Sequence, residues 1–108
     1  MIKIHTALLL KFGIGRHAFN KELWLNRPRT RKCFVQDIIN NVITVGMSRN
    51  ELIKLLGVSS RNEYNDAVLS YLISSFKNGK TKEILNVYFD EKGLVSHVRI
   101  KYRKMHSA

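Results

Sequence analysis

At 108 residues, with 44% hydrophobic and 25% charged side chains, the chain has the size and composition of one folded domain and not of a disordered tail. Its single cysteine, Cys33, excludes an internal disulfide and a four-cysteine zinc site. The net charge of +11 is unevenly spread: residues 1–32 carry +7, residues 33–98 are neutral, and residues 99–108 add +4. Basic ends around a neutral core suit nucleic acid, an anionic membrane or an acidic protein, and equally a charge excess that serves only solubility.

The opening MIKIHTALLLKFGIG joins Lys3 to a short apolar run, Ala7 to Leu10, which Lys11 interrupts. No small-residue cleavage site follows, and no cysteine lies here to take a lipid. Residues 1–18 therefore read as an N-terminal segment, either a degenerate export signal or an edge element packed on the core. No apolar run approaches the roughly 18 residues of a membrane span. Without a clear signal peptide or lipid-acceptor cysteine, the balance tips towards a cytoplasmic location. Residues 19–104 read as one domain, and residues 105–108 as a tail that frays.

Phe19, Leu23 and Trp24 fall at helical spacing, which predicts a short helix ended by Pro28. In NRPRTRK, residues 26–32, four of seven side chains are basic, the mark of an exposed loop. In RKCFVQDIINNVI, Phe34, Val35, Ile38, Ile39 and Val42 recur at steps of three and four, so an amphipathic helix is expected, with Thr30 as its N-cap and Cys33 as a buried, inert thiol.

GMSRNELIKLLG, residues 46–57, is a helix with both ends marked. Ser48 and Glu51 have capping-box spacing, Met47 and Leu52 that of a hydrophobic staple, and Gly57 supplies a positive φ beyond the last turn. Downstream the period falls from 3.6 to 2. Residues 66–76 read as a first strand, Asn78-Gly79 as a hairpin turn, and residues 83–90 as a second strand with Leu85, Val87 and Phe89 on one face. After a turn at Gly93 comes a third strand, with Val98, Ile100 and Tyr102 inward and His97, Arg99, Lys101 and Arg103 outward. The expected fold is α+β: two helices packed on a three-stranded antiparallel meander, in two layers.

Catalytic and cofactor signatures fail on context. GIGRHA, residues 13–18, matches the G-x-G-x-x-A dinucleotide turn, which requires a βαβ unit and an acidic residue about 20 positions on. Asp37 lies near that offset but in an amphipathic helix, and no parallel-strand pattern follows. His5, His17, His97 and His106 are scattered without metal-ligand spacing, no nucleophile elbow occurs, and no carboxylate pair stands out. The expectation is no catalytic residue, no metal, no cofactor and no enzyme activity.

Taken together, GMSRNELIKLLG and LNVYFDEKGLVSHVRI resemble the SmpA/OmlA family of small bacterial envelope domains, with a β-lactamase-inhibitor-protein-like fold. Gly46, Met47, Ser48, Glu51, Leu52 and Gly57 match its helix motif, and Phe89, Asp90, Gly93 and Val95 its strand–turn motif. Upstream, Phe19, Trp24, Asn26, Arg31, Asp37, Ile38 and Ile39 resemble an uncharacterised subgroup, so the similarity spans about residues 19–102. The chain departs from the family in having GVSSRNEYND where a Gly-x-Pro is common. With no clear signal peptide or lipid-acceptor cysteine of the kind the outer-membrane lipoproteins carry, a place in the outer-membrane assembly machinery is not expected.

The resemblance implies a scaffold that works by binding other proteins, as an adaptor, inhibitor or immunity-type protein. The expected contact residues are Arg27, Arg29, Arg31 and Lys32 in the basic segment, with Tyr88, His97, Arg99 and Lys101 on the outer sheet face, set against an acidic partner. The alternative is binding of nucleic acid or another polyanion through the basic ends.

Overall fold

The computed structural model describes residues 17–58, 67–76 and 80–104. The export-signal reading, the Asn78-Gly79 turn and the frayed tail lie outside the described residues. Helix α1, Lys21–Asn26, begins where the Asn20 side chain accepts the Leu23 N–H at 3.0 Å. It stops because Arg27, ahead of Pro28, leaves the helical region, at φ −131° and ψ 78°.

The same proline opens the next element. Pro28 occupies the first turn of a 3-10 segment, Pro28–Phe34, where a missing N–H costs nothing. An α turn, Val35–Asp37, and a π segment, Ile38–Val42, continue it, and the three together form α2. The predicted exposed loop at residues 26–32 is thus corrected: most of it is helical, and Arg31 within it is half-buried. The Thr30 cap is corrected too. Thr30 lies inside the helix, and its hydroxyl donates to the Arg27 carbonyl at 2.7 Å instead of accepting an N–H. Pro28, two residues after the end of α1, had already begun the helix that Thr30 was expected to open.

Helix α3, Arg49–Leu56, follows its sequence signals closely. Ser48 is extended at the N-cap, and its oxygen accepts the Glu51 N–H at 3.1 Å. The Glu51 carboxylate in turn accepts the Ser48 hydroxyl proton, also at 3.1 Å. Met47 packs against the core beside buried Leu52. At the far end Gly57 has φ +82° and donates its N–H to the Ile53 carbonyl.

Strands β1 (Val68–Phe76), β2 (Thr81–Phe89) and β3 (Val95–Lys104) form one antiparallel sheet in the order β1-β2-β3. The register puts Leu69, Tyr71, Leu85, Val87, Val98 and Ile100 on the inner face, under the helices. Trp24, Phe34, Ile38, Leu52 and Leu56 fill the helical side of the core. Tyr102 continues the inner row, but it is 64% exposed where burial was expected. Of the three strands, β1 is the one the helical layer packs over most closely, and Tyr102 lies near the far end of β3.

Gly57 carries a double constraint. Its φ is one that other residues adopt only with strain, and an added Cβ would lie 2.6 Å from Leu25 Cδ2. Gly57→Ala should lower the urea midpoint by an amount equivalent to about 1–3 kcal/mol without changing the slope of the transition. A midpoint shift below ~0.3 kcal/mol would mean that α1 yields freely at this junction.

Candidate functional site

The eight expected contact residues do not form one surface. Arg27, the cap residue ahead of α2, and Arg29 in its first turn are exposed, while Arg31 and Lys32 are turned to internal work. The Arg31 guanidinium lies 4.4 Å from the centre of the Trp24 ring. Its Nε donates to the Trp24 carbonyl at 2.9 Å and its Nη1 to the Leu72 carbonyl on β1 at 3.0 Å. A planar fork over an aromatic face is a role for which lysine is no substitute. Burial lowers the Arg31 pKa from its ordinary value, and Arg31 stays cationic at any physiological pH.

Lys32 is exposed along most of its stem, yet its Nζ meets both carboxylate oxygens of Glu83 at 2.7 Å. Glu83 sits on the inner face of β2, 3% exposed, and also accepts hydrogen bonds from Ser74 Oγ at 3.0 Å and the Tyr102 hydroxyl at 3.1 Å. A carboxylate this well hydrogen-bonded is stable in an apolar layer because each lone pair has a donor. Glu83 went unnoticed in the sequence, although its parity with Leu85 and Val87 marks it as inward.

The outer face of the sheet is a different surface. Cross-strand partners Tyr88 and His97 stack with ring centres 4.4 Å apart and planes within 6°. Ser96 braces the pair: its Oγ donates to the Tyr88 carbonyl at 3.2 Å and lies 2.9 Å from His97 Nδ1. Arg99 and Lys101 follow on the same face, opposite Asn86 and Ile84, and Arg103 continues the row opposite Lys82. His97, Arg99, Lys101 and Arg103 are all exposed. The structure therefore brings Tyr88, His97, Arg99 and Lys101 together, and holds Arg27, Arg29, Arg31 and Lys32 on the helical side of the sheet.

Cys33 is a buried free thiol whose pKa is raised by desolvation, so little thiolate is present at neutral pH. Asp37, the residue at the dinucleotide offset, accepts the Phe19 N–H at 2.7 Å and an Asn41 side-chain N–H at 2.7 Å. Its carboxylate is thus spent on fastening the chain ahead of α1 to α2. Among the described residues no three His, Cys, Asp or Glu side chains gather as a metal site would need.

Burial pushes the Glu83 carboxyl up, but hydrogen bonds from Lys32 and Ser74, the Lys32 charge and the Tyr102 hydroxyl outweigh it and hold the group below its ordinary range. A depressed folded-state pKa contributes stability that is complete above the ordinary glutamate value of about 4.3 and lost as pH falls through the folded value. Glu83→Gln should therefore cost about 1–2 kcal/mol at pH 7, and the gap from the native chain should narrow progressively as pH falls below about 4.3. A gap that is constant from pH 7 to pH 3, by chemical denaturation, would show that the carboxylate charge contributes nothing.

The comparisons with known proteins agree with this architecture. Residues 34–99 match the family model described as "Outer membrane protein assembly factor BamE domain". The match takes in α2 from Phe34, all of α3, and the sheet as far as Arg99. It leaves out the basic first turn of α2. No curated protein matches the chain. The cytoplasmic location expected from the opening residues is overturned by the family match, since outer membrane assembly is a process of the cell envelope. The same match supplies the connection to outer-membrane assembly that those residues left unsupported. With its helices-then-meander fold and a match over more than half its length, the chain belongs to the BamE domain family, the SmpA/OmlA family its helix and turn motifs resemble.

Proposed function

We propose that this chain is a non-catalytic protein-binding module that docks an acidic surface of a protein partner in outer membrane assembly through the outer face of its sheet. The family's description as an assembly factor supports protein binding. The observation that carries the choice of surface is the cluster of Tyr88, His97, Arg99 and Lys101 on neighbouring rungs of β2 and β3, facing away from the core. Interfaces are enriched in tyrosine and arginine because these side chains combine large contact area with directed polar groups. The Tyr88–His97 stack fixes two rings before any partner arrives, so little rotamer entropy remains to be lost.

The cations beside that stack give the contact its selectivity. A row of Arg99, Lys101 and Arg103 speeds encounter with an acidic surface and repels basic ones. Arg31 and Lys32 leave the set of contact residues, since one secures Trp24 and the other neutralises Glu83. Arg27 and Arg29 remain exposed on the helical side and are left out of the contact proposed for the outer face.

Reversing both central charges, Arg99→Glu with Lys101→Glu, should abolish capture of protein partners from envelope extracts. Both side chains are exposed, so stability should stay within about 0.5 kcal/mol of the native chain. Unchanged capture would rule out this face. Capture of nucleic acid alone, with affinity falling steeply as salt rises, would instead favour a purely electrostatic polyanion binder.

A further inference from the structure

The two edges of the sheet are finished differently. On β1 the Leu72 carbonyl accepts Arg31 Nη1, and the pairing register shifts between Leu72 and Ser74. Both devices discourage a further strand. On β3 no strand lies on the far side among the described residues, and the helical layer packs over β1 instead.

The ladder fixes which backbone groups of β3 face that open side. Phe89 donates its N–H to Ala67, ahead of β1, and alternation along β2 then turns Tyr88 and Asn86 towards β3. Their partners, His97 and Arg99, face β2 in return. Val98 and Ile100, between and beyond them, direct N–H and C=O groups at the open edge. The start of the strand is already used, because Val95 exchanges both of its backbone bonds with Gly46 and Met47. Available edge therefore begins after the register shift near Ser96.

The side chains of that edge form two unlike rows. His97, Arg99, Lys101 and Arg103 are exposed on the outer face. On the inner face Val98 and Ile100 are only half-buried, with exposed Tyr102 beyond them. We infer that the β3 edge accepts an extended segment of a protein partner as a fourth, antiparallel strand, one in which acidic and apolar residues alternate. Backbone pairing supplies the affinity, and the two rows supply the selectivity. Acidic residues of the added strand lie against Arg99 and Lys101, and apolar ones extend the cover over Val98 and Ile100. A second copy of this edge is an unsuitable occupant, since its cationic row would lie against its own like. The inference rests on the protein-binding reading above and narrows the partner to a chain segment of defined pattern.

In an antiparallel pair, residues directly opposite each other share both a face and a hydrogen-bonding phase. Because Val98 and Ile100 present the open backbone groups, the residues opposite them are the apolar ones of the added strand. A peptide alternating glutamate and valine tests this directly. It should bind the full chain and slow amide exchange at Val98 and Ile100. N-methylation of its valine amides should weaken binding roughly tenfold, the effect of losing backbone bonds of ordinary strength, while N-methylation of its glutamate amides should not. Equal binding by the two methylated peptides, or by a peptide of the same composition with its glutamates in one block, would overturn strand addition and leave the acidic-partner reading standing. No binding by any of the peptides would also overturn it. If valine-specific sensitivity is seen but the Arg99→Glu, Lys101→Glu chain still captures its partners, backbone pairing at the edge holds, while the acidic half of the pattern and the outer-face reading both fail.

Discussion

A fully buried tryptophan must place one polar atom, and in this protein the indole N–H of Trp24 finds the Leu56 carbonyl at 2.9 Å. That bond joins α1 to the last turn of α3, across 32 residues of chain. Left unpaired, a buried donor of this kind would cost about 1–3 kcal/mol. The other contacts of the ring draw in the remaining layers. Phe19 meets it edge-on, Tyr71 of β1 leans against it with centres 6.1 Å apart, and Arg31 of α2 covers it. The neighbouring carbonyl, that of Gly57, accepts the Tyr71 hydroxyl at 2.9 Å. Burial pushes that phenol up to about 12 against the pull of Arg49 and Arg31, so it remains a donor. Two aromatic tips thus satisfy the end of α3, and the short helices are held by the junction more than by their own length.

This arrangement explains how the basic residues divide. Two cations of the helical layer close its polar gaps: Arg31 ties Trp24 to β1, and Lys32 neutralises the one carboxylate on the inner face of β2. Among the described residues, the cations on the outer face of the sheet have no such contact. The +11 charge is therefore not one property of the protein. Part of it maintains the fold, and part of it, the row of Arg99, Lys101 and Arg103, lies exposed on the outer face of the sheet.

Legibility in the sequence followed the locality of the interaction. The α3 helix was readable from Ser48 to Gly57 because caps and staples act within a few residues of chain. The outer face was readable because strand parity is strict: His97, Arg99 and Lys101 share a side whatever the helices do. What escaped was set by distant contacts. Arg31 looked like a surface cation because its partners, the Trp24 ring and the Leu72 carbonyl, lie 7 and 41 residues away. Tyr102 kept its parity but not its burial, since the extent of helical cover is a tertiary matter. Thr30 failed as a cap because Pro28 had already started the helix.

Trp24 is also the only tryptophan of the chain, which gives the molecule a built-in optical reporter. Its ring lies where α1, α2, α3 and β1 converge, on the opposite side of the sheet from the Tyr88–His97 stack. Intrinsic fluorescence will therefore follow the opening of that junction and stay nearly silent when something settles on the outer face. In one cuvette, folding and docking become separable signals.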